Sequence, residues 1–151
     1  MRKMDEIDRK ILNILQTEFP IEEEPFKRIG ERVGIGEDEV LRRTKALQDE
    51  KIIRRIGAVF DLRKLGYVSS LCAARVPEER IADFVEIVNA YPGVTHNYRR
   101  SHEYNIWFTF IAPSEEELQR SIEEIRQRTG IDDILSLRAT RTFKINASFE
   151  V

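Results

Sequence analysis

Strand-like and helix-like stretches alternate in the second half of the chain, in an order that few folds share. Period-two spacing of apolar residues predicts strands, and the spacing i, i+3, i+4 predicts helices. In chain order the predicted elements are a strand at 68–76, a helix at 77–90, strands at 94–100 and 105–112, a helix at 114–129 and a strand at 135–145. This βαββαβ order predicts a ferredoxin-like domain, in which two helices cover one face of a four-stranded antiparallel sheet. The other face should be covered by a partner, a ligand or both, because large exposed apolar side chains are costly in water.

The first 60 residues show a different pattern. Helical spacing predicts a helix over residues 5–17, a second from Pro25 to Val33 and a third over residues 37–50, with a glycine-containing turn between the last two. The β-prone run 52–60 follows and predicts a wing strand. The pattern is that of a winged helix-turn-helix.

Two domains follow from these patterns. We predict an α+β fold with a winged helix-turn-helix over residues 1–60 and a ferredoxin-like domain over residues 61–151. The 151 residues, 41% of them hydrophobic, suffice for two small cores. A single cysteine, Cys72, excludes an intrachain disulfide and fits a reducing compartment. No apolar stretch approaches the roughly 20 residues of a membrane helix, so we predict a cytoplasmic protein without a membrane partner.

DNA binding is the usual task of a helix-turn-helix, and the sequence argues against it here. The third predicted helix, which would meet the bases, begins Glu37-Asp38-Glu39, and these carboxylates would repel a phosphate backbone. Residues 1–60 carry 13 basic and 13 acidic side chains, so no net charge favours DNA. We therefore expect this domain to serve packing or dimerisation and not to bind DNA.

Residues 96–108 hold the densest group of chemically active side chains. This segment contains both histidines, the only tryptophan and two of the four tyrosines of the chain. In a hairpin with an even loop near residues 101–104, residue 98 lies opposite 107 and residue 100 opposite 105. One face then collects His96, Tyr98, Arg100, Asn105 and Trp107, while Ile106, Phe108 and Phe110 face the helices. His102 and Tyr104 lie in the loop.

Each of these residues also has an ordinary explanation. Tyr98 and Trp107 could belong to a dimer interface, where aromatic residues are common. A lone surface histidine is often without function, but two on one hairpin, with none elsewhere, favour ligand binding or proton transfer. Arg100 shares its face with the rings, whereas Arg99 faces the other way, so Arg100 is the expected anion binder. Without nearby cysteines or paired carboxylates, two histidines do not predict a structural zinc site.

A helix-turn-helix followed by a βαββαβ domain resembles the Lrp/AsnC regulators over nearly the whole chain. Shorter motifs narrow the resemblance to the sirohaem decarboxylases. The similar segments are Pro92-Gly93-Val94-Thr95-His96-Asn97-Tyr98 followed by Arg100, His102 and Tyr104-Asn105-Ile106-Trp107-Phe108-Thr109, and also Arg54-Arg55-Ile56-Gly57-Ala58 and Lys64-Leu65-Gly66-Tyr67. Within that family the chain most resembles the alpha subunit of the two-subunit enzyme.

The resemblance implies a reaction and its partners. Sirohaem decarboxylases serve the alternative haem pathway and the related haem d1 pathway. They remove carboxyl groups from the C12 and C18 acetates of sirohaem and give 12,18-didecarboxysirohaem. The chain would then be one subunit of a two-subunit lyase, paired with a homologous sister subunit or with a second copy of itself. No cofactor and no metal of its own are implied, because the substrate carries the iron.

Together with the hairpin pattern, the resemblance implies a role for each residue. Loss of carbon dioxide leaves negative charge on the former methylene carbon, which the macrocycle delocalises and a general acid must protonate. His96 is the first candidate for that acid and His102 the second, and either could instead ligate the substrate's iron. The residues expected to contact the substrate are Arg100, which would hold a carboxylate, and Tyr98, Tyr104, Asn105 and Trp107.

Two other functions stay open on the sequence alone. One is an Lrp/AsnC-type transcription regulator that senses a small molecule, which requires salt-dependent, sequence-selective DNA binding. The other is a non-catalytic tetrapyrrole-binding subunit. Product analysis beside an absorbance titration with sirohaem would distinguish binding from turnover.

Overall fold

A computed structural model describes residues 3–145 and 148–151, which form two compact units. Residues 1–2 and 146–147 of the predicted domains lie outside the described residues. One unit comprises residues up to 59 together with those from 144 onward, and the other comprises residues 60–143. The helices are α1 (Glu6–Thr17), α2 (Pro25–Val33), α3 (Glu37–Asp49), α4 (Ile81–Asn89) and α5 (Glu115–Thr129), and the strands are β1 (Val68–Ala74), β2 (Val94–Arg99), β3 (Ile106–Ala112) and β4 (Ile134–Leu137). Among the described residues, no helix combines the length and apolarity needed to cross a bilayer.

Helices α1, α2 and α3 form the predicted helix-turn-helix core. Ile11, Ile29 and Val40, one from each helix, are completely buried in one cluster. The chain turns sharply between α2 and α3, where Gly30 packs against the backbone of Ile35. A β-carbon at residue 30 would lie 2.6 Å from the Ile35 carbonyl oxygen, so the close approach of the turn to α2 requires glycine.

Arg43 of α3 ties that helix to the start of α1. Its guanidinium donates hydrogen bonds to Asp5 at 2.8 Å, Asp8 at 2.9 Å and Glu39 at 2.7 Å. The Asp8 side chain is only 1% exposed, so Arg43 offsets a charge that is largely removed from water. Hydrogen bonds from Arg42 and Arg43 lower the pKa of Glu39 from 4.5 to about 2. The Asp8 backbone amide, and then Arg43, lower the pKa of Asp5.

Arg43→Met should destabilise the folded chain at neutral pH by about 2 kcal/mol, less than a fully buried pair would lose, because Asp5 is half exposed. Both carboxyl pKa values are depressed in the folded state. Their stabilisation is therefore complete above the ordinary value of 4.5 and is lost as the pH falls towards about 2. The difference in free energy of unfolding between wild type and variant should narrow in acid.

Urea unfolding near pH 7 and near pH 3, followed by helical circular dichroism, measures both differences. Arg9→Met is the control, since Arg9 is an exposed arginine on the neighbouring helix α1. An Arg43→Met effect of the same size at the two pH values would contradict the assignment of the acid sensitivity to this cluster.

The predicted wing strand at residues 52–60 is wrong. This segment contains no strand and most of it is exposed. The amides of Ile52 and Ile53 instead bond back to the Leu47 carbonyl at 2.9 and 3.1 Å, which closes the end of α3. A β-prone run forms a strand only where another strand can pair with its backbone, and none does so within the part of the chain that the structure describes.

The C-terminal segment also departs from the predicted boundaries. The last strand ends at Leu137 and does not continue to Ile145. Residues from 144 onward group with the helical unit, whereas the sequence placed them in the second domain. The Gln16 side chain of α1 holds this segment, because it donates to the Phe149 carbonyl at 2.6 Å and accepts from the Phe149 amide at 3.1 Å.

The second unit has the predicted βαββαβ order. Its strands form an antiparallel sheet in the order β2-β3-β1-β4, and α4 and α5 pack on one face. The core lies between the helices and this face, where the rings of Phe84 and Phe108 meet edge to face with centroids 6.3 Å apart. Because alternate residues of β3 enter the core, Trp107, Thr109 and Ile111 lie on the other side.

The sheet face opposite α4 and α5, here called the open face, has two different halves. On β1 and β4 it is apolar, since Leu71, Leu135 and Leu137 are 43%, 39% and 45% exposed. Leu71 and Leu137 are directly paired across the two strands. On β2 and β3 it carries the aromatic and charged residues that the sequence singled out.

Candidate active site

Strands β2 and β3 form the hairpin that positions the predicted site. Tyr98 lies opposite Trp107, as the even-loop register predicted. The Arg100 amide donates to the Asn105 carbonyl at 2.8 Å, so these two residues also face each other across the hairpin. Cross-strand partners share a face of the sheet, and Tyr98 and Trp107 therefore lie together on the open face.

A bulge at the start of β2 sorts its side chains between the two faces. Val94 is paired with Phe110 and His96 with Thr109, so Thr95 is one residue more than β3 provides. Val94 consequently packs on the core with Phe110. His96 keeps the place on the open face that the sequence predicted.

Gly93→Ala should loosen this end of the hairpin. A β-carbon at residue 93 would lie 2.4 Å from the Ile111 carbonyl oxygen and 2.6 Å from the Phe110 ring. Relief of both contacts requires β2 to move, which we expect to cost about 1–3 kcal/mol of folding free energy. Urea denaturation measures the loss. Gly57→Ala is the control, because nothing lies within 4 Å of a β-carbon there, and equal stability of the two variants would contradict the prediction.

Four residues, here called the open-face row, form a continuous aromatic and cationic surface: His96, Tyr98, Arg100 and Trp107. The His96 and Tyr98 rings are stacked, with centroids 6.1 Å apart and planes 26° apart. The Arg100 guanidinium carbon lies 6.0 Å from the Tyr98 ring centroid and 5.9 Å from that of Trp107. Tyr98 is 51% exposed, so its ring is accessible. Such a surface suits a flat, conjugated acid.

Arg100 differs from the neighbouring cations in its charge balance. Arg75 and Arg99 are both ion-paired, Arg99 to Glu78 at 2.7 Å. Within residues 3–145 and 148–151, no carboxylate lies within ion-pair distance of Arg100. Its guanidinium is therefore available to bind a carboxylate of a ligand.

The hairpin loop carries a second histidine–tyrosine pair. The His102 and Tyr104 rings are stacked, with centroids 6.2 Å apart and planes 23° apart. The Tyr104 amide donates to His102 Nδ1 at 3.1 Å, so a neutral His102 carries its hydrogen on Nε2. The Tyr104 hydroxyl donates its only hydrogen to Asp133 at 2.9 Å. Tyr104 therefore presents its ring rather than a free O–H group.

Asn105 uses its side-chain amide within the protein. Its Oδ1 accepts from the Val76 amide at 2.9 Å, and its Nδ2 donates to the Val76 carbonyl at 2.8 Å. These two bonds fasten the start of β3 to the chain that leaves β1. That Asn105 contacts the substrate stays a prediction, and the structure adds this fastening contact to it.

Arg100 belongs to the open-face row and also lines a depression beside the hairpin loop. A surface depression of about 500 Å³ is lined by Glu78, Arg99, Arg100, Ser101, His102 and Asn105. His102 thus borders the same space as Arg100, whereas His96 reaches Arg100 through the ring of Tyr98. Each imidazole stacks on its own tyrosine, so the two histidines occupy different ends of the site.

The part of the chain that the structure describes contains no cluster of three or more histidine, cysteine, aspartate or glutamate side chains that could hold a metal ion. Cys72 is buried, and burial raises the pKa of its thiol to about 11. The thiol is therefore protonated at neutral pH and is not a nucleophile there.

Sequence reasoning missed Arg75 and Asp133, which contact the loop from outside the hairpin. Ala74 pairs with both Ile106 and Ile134, so the residues just beyond these pairs meet at one end of the sheet. The signal was present in the predicted fold, since β1 lies between β3 and β4 in a ferredoxin-like sheet. Applying that strand order to charged residues near strand ends would have found them.

Family models match both units. Residues 8–54 match the siroheme decarboxylase NirDL-like HTH domain, and residues 64–144 match the AsnC-like ligand binding domain. The second match covers more than half of the chain. Together they confirm the helix-turn-helix and the ferredoxin-like assignments.

Individual proteins agree with these models. The siroheme decarboxylase alpha subunit of Desulfovibrio desulfuricans is 53% identical over 148 residues, which are 98% of this chain and 85% of that protein. The crystal structure of the siroheme decarboxylase NirDL in co-complex with an iron-uroporphyrin III analogue is 37% identical with a TM-score of 0.69, over 91% of this chain and 47% of that one. An AsnC family transcriptional regulator from Agrobacterium tumefaciens, 24% identical with a TM-score of 0.78 over 97% of this chain and 96% of its own, shares the fold. The chain therefore belongs to the sirohaem decarboxylase family, built on the Lrp/AsnC architecture.

Proposed function

We propose that this chain binds sirohaem and, with a sister subunit, removes the carboxyl groups of the C12 and C18 acetates to give 12,18-didecarboxysirohaem, for the alternative haem or the haem d1 pathway. The observation that carries the proposal is the 53% identity to a siroheme decarboxylase alpha subunit over 98% of the chain. The geometry of the hairpin supports it.

The open-face row suits a tetrapyrrole. Such a macrocycle is flat, aromatic and fringed with carboxylates, and the NirDL relative binds an iron-uroporphyrin III analogue of this kind. Tyr98 and Trp107 offer rings for its face, while Arg100 lies beside both rings without a carboxylate partner among the described residues. The arrangement favours a macrocycle on the rings with a side-chain carboxylate at Arg100.

The reaction needs one proton for each carboxyl group removed. Cleavage of the bond between the methylene and the carboxylate carbons releases carbon dioxide and leaves the electron pair on the methylene carbon. The conjugated macrocycle delocalises this charge, and a proton from His96 or His102 completes the methyl group. The step is redox-neutral, and it requires no organic cofactor because the macrocycle itself delocalises the charge. The iron arrives with the substrate, and a neutral imidazole could also ligate it there.

Both imidazoles have one nitrogen in use. His96 Nδ1 lies 3.0 Å from the Thr95 hydroxyl, and His102 Nδ1 accepts from the Tyr104 amide. In each case Nε2 is the nitrogen that can act on a substrate. The geometry therefore allows either histidine to donate the proton.

A sister subunit is part of the proposal. The NirDL structure is matched over 47% of its length, so more than half of that chain has no counterpart here. The apolar half of the open face, with Leu71, Leu135 and Leu137 partly exposed, suits a partner surface. A homologous subunit would give a heterodimer and a second copy a homodimer. Native mass spectrometry of the chain mixed with its sister subunit distinguishes them, because it resolves the mass of each subunit in the complex.

The helix-turn-helix has an arrangement that disfavours DNA. The cations that the sequence offers on α3 are ion-paired within the chain: Arg42 and Arg43 to Glu39, and Lys45 to Asp49. Phosphate binding would have to break these pairs, which removes much of its electrostatic gain. A gel-shift assay with promoter fragments should show no sequence-selective complex, and a selective, salt-dependent shift would support the regulator alternative.

Product analysis tests the reaction itself. Sirohaem is incubated anaerobically with the chain alone and then with its sister subunit, and the product masses are measured. We expect loss of two carbon dioxide molecules when both subunits are present. Tight binding in an absorbance titration without any product, under both conditions, would overturn the proposed reaction and leave a non-catalytic tetrapyrrole-binding subunit.

A further inference from the structure

Arg75 and Asp133 hold the loop that carries His102, although the proposed reaction has given them no role. Arg75 follows β1 and Asp133 precedes β4, so both flank the hairpin without belonging to it. The Arg75 guanidinium carbon lies 5.1 Å from the Tyr104 ring centroid. Its nitrogens pair with Asp133 at 3.1 Å and with Glu103 at 3.2 Å.

Tyr104 connects this network to the imidazole. Its hydroxyl donates to Asp133 at 2.9 Å, its amide donates to His102 Nδ1 at 3.1 Å, and its carbonyl accepts from Trp107 Nε1 at 2.7 Å. Every polar group of Tyr104 is thus engaged. Its ring stacks on His102, so a displacement of Tyr104 would move the imidazole.

The contacts of Arg75 and Asp133 are better suited to orienting Tyr104 and His102 than to stabilising the fold. The Arg75 side chain is 51% exposed, and ion pairs in contact with water contribute little to the free energy of folding. Deleting one should hardly change the folding free energy. By contrast, two ion pairs, a ring contact and three hydrogen bonds define the position of one tyrosine and, through it, of one imidazole.

We propose that Arg75 and Asp133 are positioning residues that act through Tyr104 on His102. They keep Nδ1 of the imidazole on the Tyr104 amide and leave Nε2 for the ligand, in the depression that His102 shares with Arg100. The catalytic consequence of this arrangement rests on the proposed function. The orientation of the His102 imidazole by Arg75 and Asp133 does not depend on the proposed function.

Nuclear magnetic resonance of the histidine rings tests the geometric part in the full chain. Long-range ¹H–¹⁵N spectra report the tautomer of each imidazole, and the chain has only two histidines, so His96→Gln assigns both. Wild type should show His102 with its hydrogen on Nε2. Asp133→Ala should shift His102 to a mixture of tautomers and leave the His96 signals unchanged.

A gentler variant and a matched control sharpen this test. Tyr104→Phe keeps the stacked ring and loses only the hydroxyl, so it should shift the His102 tautomer equilibrium as Asp133→Ala does. The double variant Asp133→Ala/Tyr104→Phe should shift that equilibrium no further than either single variant. Asp132→Ala removes a neighbouring exposed carboxylate and should shift neither histidine. Unchanged His102 signals in both Asp133→Ala and Tyr104→Phe would overturn the proposal.

Turnover with the sister subunit tests the catalytic part. Asp133→Ala should lower kcat about tenfold with little change in KM, since the substrate still binds while the imidazole is misplaced. Asp132→Ala should leave both constants unchanged. A shifted His102 spectrum with unchanged kcat would overturn the catalytic consequence. Absence of product with wild type would overturn the proposed function, and the spectra alone would then decide the geometric part.

Discussion

His96→Ala is expected to slow sirohaem decarboxylation about 10²- to 10⁴-fold, the range typical of the loss of a general acid. The imidazole lies exposed on the open face and stacks on Tyr98. Its Nδ1 is engaged by Thr95, so its Nε2 can face a methylene carbon of a macrocycle resting on the row. Mass spectrometry of the product, with the sister subunit present, measures the rate. Binding in an absorbance titration should change far less than turnover.

Two further variants make the His96 result specific. Asn97→Ala alters the adjacent residue of the same strand, whose side chain donates to Asn89 at 2.9 Å, and should leave turnover near that of wild type. His102→Ala is measured in the same assay, and the histidine whose removal costs more is the better candidate for the proton donor. Unchanged turnover in both histidine variants would rule out the assigned chemistry.

Arg100→Ala should weaken sirohaem binding about 10- to 100-fold, which corresponds to the roughly 1.5–3 kcal/mol of a hydrogen bond to a charged group. Its guanidinium lies about 6 Å from two aromatic rings and has no carboxylate partner among the residues described. A substrate carboxylate would supply that partner. Absorbance titration with sirohaem measures the affinity, and the loss should shrink at high salt because the lost interaction is ionic.

Arg99→Ala is the matched control for Arg100. The two arginines are adjacent, but Arg99 is paired with Glu78 at 2.7 Å and lies opposite Ile106 of the core side. Its removal should change affinity little. Arg100→Lys should restore part of the loss, since an ammonium keeps the charge without the planar fork of the guanidinium. Equal losses in the two alanine variants would show that the effect is a general one of surface charge.

The hairpin register was predictable because strand periodicity leaves few choices. Once residues 106, 108 and 110 are assigned to the core, Trp107 must face away from it, and an even loop places Tyr98 opposite. The bulge at Thr95 was not predicted. It moves Val94 to the core side and leaves His96 in place, so the predicted face of the histidine did not depend on it.

Contacts between distant segments were not predictable from local patterns. The sequence predicted that Asn105 and Tyr104 contact the substrate, but it did not predict their contacts within the chain. In the structure the Asn105 amide bonds Val76 and the Tyr104 hydroxyl bonds Asp133, about thirty residues away along the chain. The strand predicted at residues 52–60 does not form for a related reason. A strand requires a second strand to pair with, and local β-propensity does not supply one.

The sequence by itself determined the order of the five helices and of the four sheet strands, the face on which Tyr98 and Trp107 lie, and the family motif. Periodicity and short motifs are local properties of the chain. Only the tertiary structure decided which polar groups remain available for a ligand. Arg75 and Arg99 have carboxylate partners from other elements, whereas Arg100 has none among the described residues. Whether an arginine is available to a ligand depends on the carboxylates that folding brings beside it from distant positions in the chain. The pairing of charges in the site is therefore decided by the packing of the sheet.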